Sequence, residues 1–172
     1  MEKLNILVIE DNVAHQQAAQ EQLSEHNLTI VGSFPEALRI LGSYSFVRIG
    51  KEGYTYEGNF DVVLTDMEMP VCRLDNLDRS VVKDISAPYG LVLALRAAQV
   101  GVKYVAMITD TNHHQGAMSN ALDMVTGAYW SHGGGMFQIG QSKVLFAHAE
   151  TKANTENVRV KQWHEALKLL LG

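Results

Sequence analysis

Two short apolar runs in this chain each end at carboxylate side chains. The first covers residues 4–9 and is followed by Glu10 and Asp11, and the second covers residues 61–66 and ends on Asp66. Branched, continuously apolar runs of this length are typical of parallel strands that are buried on both faces. The pattern therefore predicts two buried strands with acidic side chains at their carboxyl ends.

The rest of the chain alternates between strand-like and helix-like segments. Further strands are predicted at residues 28–31 and 103–109, and helices at about 13–25, from the N-cap Ser33 to Leu41, and at 89–100, 119–125 and 158–171. Strands that alternate with helices indicate βαβ units, a parallel sheet and right-handed crossovers. The fold class is therefore predicted to be α/β, with a doubly wound parallel sheet.

The position of the acids suggests a chemistry. In an open α/β sheet, the ligand site lies just outside the carboxyl ends of the strands. Glu10, Asp11 and Asp66 are all predicted to lie at that one edge. Three carboxylates together make an oxygen-rich pocket that suits a hard divalent cation such as Mg²⁺.

Composition excludes several classes of protein. With 172 residues, 47% hydrophobic and 19% charged, the chain fits a single globular domain over 1–172. A net charge of −5 without a Lys/Arg stripe predicts no nucleic-acid partner, and no apolar stretch reaches the roughly 18 residues of a membrane span. Cys72 is the one cysteine, which excludes an internal disulfide. Because Met1 leads directly into the first predicted strand, we expect no signal peptide. A cytoplasmic location is the expectation.

The two acidic motifs carry a resemblance to a known family. Residues 6–12, with Glu10 and Asp11, resemble the first strand and acidic pair of the receiver domains of two-component response regulators. Residues 61–70 resemble the third strand of these domains with its Asp-x-x-Met-Pro signature, here Asp66 to Pro70. The resemblance extends over roughly 4–41, 61–70 and 90–127, and it implies a flavodoxin-like sheet of five parallel strands, here with β-hairpin and loop insertions.

The resemblance also implies roles for particular residues. Asp66 would be the phospho-acceptor, in a Mg²⁺-dependent step, with Glu10, Asp11, Asp66 and the backbone carbonyl of Glu68 as metal ligands. Thr109, which ends the fourth strand, would sense the phosphoryl group. The chain would then be a stand-alone receiver rather than an enzyme, phosphorylated by a histidine kinase or a phosphotransfer protein. A further protein partner would bind the surface that phosphorylation changes.

The fifth strand departs from the family pattern, which places a lysine, usually followed by proline, at its end. Residues 127–132 would place His132 at the lysine position, whereas residues 143–148 form the better buried strand but end in His148. We favour the second alignment. Neither contains Lys-Pro, so the site is expected to lack its usual cation, which would put phosphorylation in doubt.

Three segments are longer than a minimal receiver needs. They are residues 42–60, which suggest a β-hairpin, residues 71–88, and residues 128–142. The second carries Arg73, Arg79 and Lys83, any of which could replace the missing cation. The second and third are expected near the acidic edge, either as a cover over the site or as decoration.

Two further features leave alternatives open. His113 and His114 follow Thr109 so closely that they should lie at the mouth of the acidic pocket. They would be either loop residues or ligands of a transition metal, and a metal would need His132 or His148 as an accessory ligand. A metal-dependent phosphohydrolase that uses them, or a receiver-like interaction module that has lost phosphorylation, are the alternative functions. On the last helix, an apolar face of Trp163, Leu167 and Leu170 fits either the core or a partner surface.

Overall fold

The computed structural model describes residues 2–42, 59–70, 86–111, 116–126 and 134–172. Its strands, in chain order, are β1 Asn5–Ile9, β2 Asn27–Val31, β3 Val62–Asp66, β4 Met69–Pro70, β5 Ser86–Ala87, β6 Tyr104–Thr109, β7 Gly135–Ile139, β8 Ser142–His148, β9 Thr151–Ala153 and β10 Arg159–Lys161. Its helices are α1 Val13–Gln22, α2 Phe34–Ile40, α3 Tyr89–Gln99, α4 Ala117–Thr126 and α5 Trp163–Leu171. The elements predicted from the apolar pattern are present, with ends that differ by a few residues.

Six of these strands form one sheet in the order β2-β1-β3-β6-β8-β7. The first five are parallel, and β7 is antiparallel to β8. Counted among the parallel strands alone, the order is 2-1-3-4-5, which is the flavodoxin-like doubly wound order. The predicted fold class is confirmed. From β1 the sheet grows to one side through β2 and then to the other side through β3, so the order of strand addition reverses between β1 and β3. In doubly wound sheets, ligand sites form at this point.

Both faces of the sheet are covered by helices. One core layer packs α2, α3 and α4 against the sheet, through residues such as Phe34, Leu93 and Leu122. The other packs α1 and α5, through Ala19, Trp163, Leu167 and Leu170. Because Trp163, Leu167 and Leu170 are buried, the apolar face of the last helix belongs to the core.

The fifth parallel strand is β8, which pairs with β6 so that Thr109 lies opposite His148. The alignment favoured from the sequence, residues 143–148, is confirmed, and the alternative at 127–132 lies outside the described residues. The described end of the 128–142 insertion is β7, which turns at Gly140 into β8.

A small hairpin separates β8 from the last helix, and here the sequence prediction is wrong. A helix was expected from Val158, but β9 and β10 pair antiparallel, with Lys161 opposite Thr151, and α5 begins only at Trp163. Strand geometry explains the apolar positions: Val160 points into the core while Val158 stays exposed. The same residues fit a helical spacing, and only their pairing with β9 decides between the two.

The remaining insertions are described only at their ends. Strands β4 and β5, which flank residues 71–85 along the chain, pair antiparallel, with Met69 opposite Ala87. The hairpin predicted within residues 42–60 lies outside the described residues. In the described part of the chain, no helix is long and apolar enough to span a membrane.

Candidate functional site

The acids predicted from the two strand ends meet at one place. Glu10 and Asp11 directly follow β1, Asp66 is the last residue of β3, and these neighbouring strands are in register, with Ile9 opposite Thr65. One oxygen from each of the three carboxylates lies within 4.8 Å of the other two. Glu10 and Asp66 are buried, and Asp11 is partly exposed.

Hydrogen bonds from the local backbone hold two of these carboxylates, those of Glu10 and Asp66, in place. Glu10 Oε1 accepts from the backbone N–H of Asn12 at 3.0 Å, and the Asn12 side chain in turn caps α1 by accepting from Ala14 N–H at 2.9 Å. Asp66 Oδ1 accepts from Met67 N–H at 2.7 Å. The helix start and the strand end thereby orient the acids before any ligand binds.

A buried lysine occupies the centre of the acidic group. Lys161 Nζ lies 2.7 Å from Glu10 Oε2 and 2.7 Å from Asp66 Oδ1, and its side chain is 0% exposed. The expectation that the site lacks a cation is therefore wrong. The lysine does not follow β8 directly, because the β9–β10 hairpin intervenes and returns the chain to the sheet edge. Arg73, Arg79 and Lys83, the candidates for a substitute cation, lie outside the described residues.

Helix α1 fixes the backbone on both sides of the lysine side chain. His15 Nδ1 accepts from the backbone N–H of Lys161 at 3.4 Å, and Gln22 Nε2 donates to the Lys161 carbonyl at 2.9 Å. Trp163 Nε1–H donates to the carbonyl of His15 at 2.9 Å. The lysine is thus held by helix α1 through backbone contacts as well as by the acids through its ammonium.

A fourth carboxylate, that of Asp110, joins the site from the end of β6. Asp110 Oδ2 lies 3.1 Å from His15 Nε2, and Asp110 Oδ1 lies 3.5 Å from Lys161 Nζ. Since His15 Nδ1 accepts a hydrogen bond, Nε2 carries the proton that is donated to Asp110. Neither His15 nor Asp110 is a candidate from the sequence. The available signal was their nearness to predicted site motifs: Asp110 directly follows Thr109, and His15 lies three residues after Asn12.

The electrostatics follow from one ammonium shared among several acids. Burial raises the pKa of Asp66 to about 7, and the charge of Glu10 adds to this although Lys161 opposes it. Burial alone would lower the pKa of Lys161, but the charges of Asp66, Glu10 and Asp110 outweigh it and raise that pKa. The hydrogen bond from His15, together with the charge of Lys161, holds the pKa of Asp110 well below its usual range.

Glu68 and Thr109 lie beside this group. Glu68 falls between β3 and β4, and burial raises the pKa of its carboxyl. Thr109 is fully buried at the end of β6, where its Oγ1 accepts from Thr111 N–H at 3.1 Å. The roles of the Glu68 carbonyl in metal binding and of Thr109 in phosphate sensing stay predictions.

Gly90, in the first turn of α3, packs directly against the backbone at the end of β3. Its N–H donates to the Met67 carbonyl at 3.0 Å. A Cβ at this position would lie 1.8 Å from the Asp66 carbonyl oxygen and 2.8 Å from Met67 Cα. Only glycine permits this approach, so α3 fixes the position of Asp66 through a residue that the sequence did not single out.

His148, an accessory candidate, lies in a different environment. Its Nε2 is 2.8 Å from Asp123 Oδ1 on α4. It lines a cavity of about 250 Å³ between β8 and α5, whose lining includes none of the three clustered acids. His113 and His114 lie outside the described residues.

The chain thus forms a flavodoxin-like, doubly wound α/β domain with clustered carboxylates and a buried lysine at the carboxyl edge of its sheet. No family model and no curated protein matches the chain. Its fold is similar to a signal receiver domain of an HD domain-containing protein from Pseudomonas fluorescens Pf-5, with 15% identity over 99% of this chain and 95% of that chain and a TM-score of 0.49. It is also similar to the response regulator TrrA from Thermotoga maritima in complex with Mg²⁺-BeF, with 19% identity over 98% and 100% of the two chains and a TM-score of 0.48. A further similar structure is the receiver domain of the sensor histidine kinase PA1611 from Pseudomonas aeruginosa, which has a magnesium ion coordinated in its active-site cleft. The identity is 20% over 71% of this chain and 79% of that chain, with a TM-score of 0.44.

Proposed function

We propose that this chain is a phosphoryl-accepting receiver domain, in which Asp66 is phosphorylated by a histidine kinase or phosphotransfer protein in a Mg²⁺-dependent step. The observation that carries the proposal is the contact of Lys161 Nζ with both Glu10 and Asp66, each at 2.7 Å. A receiver needs a fixed cation beside the acceptor, since phosphoryl transfer depends mainly on positioning and charge neutralisation. The protein is then a signalling domain rather than an enzyme acting on a separate substrate.

The donor set fits Mg²⁺. With Mg–O distances of about 2.0–2.1 Å, ligand oxygens on one octahedron lie roughly 3–4 Å apart, and the oxygens of Glu10, Asp11 and Asp66 lie within 4.8 Å of one another. Three carboxylates against the single ammonium of Lys161 leave an excess of negative charge that a divalent cation would neutralise. The Glu68 carbonyl is the further ligand that the resemblance implies. When bound, Mg²⁺ would neutralise charge on the transferring phosphoryl group.

The two oxygens of the Asp66 carboxylate have different surroundings. Oδ1 contacts both Met67 N–H and Lys161 Nζ, whereas Oδ2 accepts no hydrogen bond within the described ranges. Oδ2 is therefore the proposed nucleophile: it forms the bond to phosphorus as the bond from phosphorus to the donor breaks, and the donor leaves with that electron pair. Lys161 holds the carboxylate through Oδ1, and Thr109 is proposed to donate to a phosphoryl oxygen.

The proposal is tested by phosphorylation with a small donor. Incubation with acetyl phosphate and Mg²⁺ is expected to add the mass of one phosphoryl group to the intact protein, and Asp66→Asn is expected to remain unmodified. Asp123→Asn, which removes a carboxylate on α4 outside the acidic group, serves as the matched control and should be modified like the wild type. A wild-type protein that stays unmodified, while a known receiver is modified in parallel, would refute the assignment.

The pKa of Asp66 predicts a pH dependence for Mg²⁺ binding. Because this pKa is raised to about 7 in the metal-free protein, the proton must leave before the carboxylate can bind metal. Affinity for Mg²⁺ is expected to rise about tenfold between pH 6 and pH 8 and then to level off. Isothermal titration of the wild type and of Asp66→Asn checks this, since the variant should lose the dependence; an equal slope in both proteins would mean that another group titrates.

The alternative functions have less support. The interaction module without phosphorylation depended on a missing cation, and Lys161 removes that reason.

The metal-dependent phosphohydrolase needs His113 and His114 as ligands. Elemental analysis of untagged protein is expected to show no tightly bound zinc, whereas stoichiometric zinc that is lost in His113→Ala or His114→Ala would favour the enzyme.

A further inference from the structure

Asp110 differs from the other acids of the site in its position and in its partners. It follows Thr109 at the rim, where its side chain is 39% exposed, while the side chains of Lys161 and His15 are 0% and 6% exposed. It contacts both: Oδ2 lies 3.1 Å from His15 Nε2 and Oδ1 lies 3.5 Å from Lys161 Nζ. The Asp110 carboxylate is thus held by contacts with the buried side chains of His15 and Lys161. It is not simply a solvated charge on a loop.

The Lys161 ammonium is therefore divided among three carboxylates. Glu10 and Asp66 contact it at 2.7 Å, and Asp110 at 3.5 Å on the more exposed side. The longer contact makes Asp110 the partner whose place an incoming anion can take most easily. The low pKa of Asp110 means that it carries its negative charge throughout the neutral range.

We propose that Asp110 competes with the phosphoryl group on Asp66 for Lys161, and so weakens the affinity of this site for a phosphoryl group. This inference rests on the proposed function. A phosphorylated Asp66 places a further negative group beside the same ammonium, and the charge of Asp110 both repels that group and retains part of the lysine's attraction. Asp110 is a positioning residue here, because it acts through Lys161.

The charge of Asp110 acts with opposite sign on the two ligands of the site. A nearby carboxylate attracts Mg²⁺ but repels an anionic phosphoryl group. Removing the charge should thus weaken Mg²⁺ binding and strengthen binding of the anion. A purely structural role would instead move both affinities in the same direction, since any loosening of the site harms both ligands.

The experiment uses beryllofluoride as the phosphoryl probe and Asp110→Asn as the main variant, which keeps an oxygen to accept from His15. At saturating Mg²⁺, Asp110→Asn is expected to bind beryllofluoride about tenfold more tightly than the wild type, and in the absence of beryllofluoride to bind Mg²⁺ about threefold more weakly. Asp110→Ala should shift both affinities with the same signs, and it serves if the asparagine variant does not fold. Glu156→Gln, which removes one exposed charge from the β9–β10 hairpin, is the matched control and should leave both affinities unchanged.

The outcomes separate this inference from the function on which it rests. If the wild type binds no beryllofluoride in the presence of Mg²⁺, both the inference and the proposed function fail. If the wild type binds it but Asp110→Asn binds it equally or more weakly, only the role of Asp110 is overturned. Opposite shifts of the two affinities support the competition.

Discussion

Replacing Lys161 by methionine is expected to abolish phosphorylation of Asp66 and to destabilise the metal-free protein. The substitution removes the ammonium that contacts Glu10 and Asp66 at 2.7 Å and leaves these buried carboxylates without a cation. Breaking a buried charge pair by removing one partner typically costs about 3–5 kcal/mol in the free energy of unfolding. Urea denaturation in EDTA measures this loss, and acetyl phosphate labelling measures the loss of acceptor function.

Mg²⁺ distinguishes this effect from simple misfolding. The uncompensated acids of Lys161→Met should bind Mg²⁺ more tightly than those of the wild type, so added Mg²⁺ should restore more stability to the variant while phosphorylation stays absent. Lys152→Met, which removes an exposed lysine from the same hairpin, controls for hairpin effects. If Lys161→Met is phosphorylated at the wild-type rate, Lys161 is not the cation of the transfer step.

Adding a methyl group at Gly90, in the variant Gly90→Ala, is expected to destabilise the protein, with an effect second only to that of Lys161→Met. The Cβ of Gly90→Ala would lie 1.8 Å from the Asp66 carbonyl oxygen, so either α3 or the end of β3 must move. Overpacking of this kind typically lowers the free energy of unfolding by about 1–3 kcal/mol, and occasionally by more. At so short a contact we expect this loss to exceed the gain of about 1 kcal/mol from replacing a helical glycine by alanine. We expect the free energy of unfolding to fall by about 2 kcal/mol, with a decrease in Mg²⁺ affinity, because Asp66 shifts with its strand.

Gly116→Ala is the matched control for this substitution. A Cβ at Gly116 would meet its nearest neighbours at 3.5 Å, an ordinary van der Waals distance. That variant should keep both its stability and its affinity for Mg²⁺. If Gly90→Ala were equally well tolerated, the tight contact between α3 and β3 would not be what positions Asp66.

The sequence determined the sheet and the acids because both depend on local patterns. Buried parallel strands are apolar at nearly every position, so β1 and β3 could be recognised from their runs of apolar residues alone. The acids that follow them are placed by covalent connection to those strands, so the meeting of Glu10 and Asp66 followed from the strand order alone. For the same reason β8 could be chosen over the competing alignment.

The cation and the groups that tune the site were decided only by tertiary structure. Lys161 lies 151 residues from Glu10 along the chain, and no local pattern connects a lysine after a hairpin with an acid after the first strand. Its ammonium is buried because folding brings it between carboxylates, and its backbone is held by α1. The contact of Asp110 with His15, and the exclusion of any side chain at Gly90, likewise depend on how separate elements pack. Covalent neighbours fix which acids reach the sheet edge, whereas the charge that balances them comes from an element whose position only the completed fold determines.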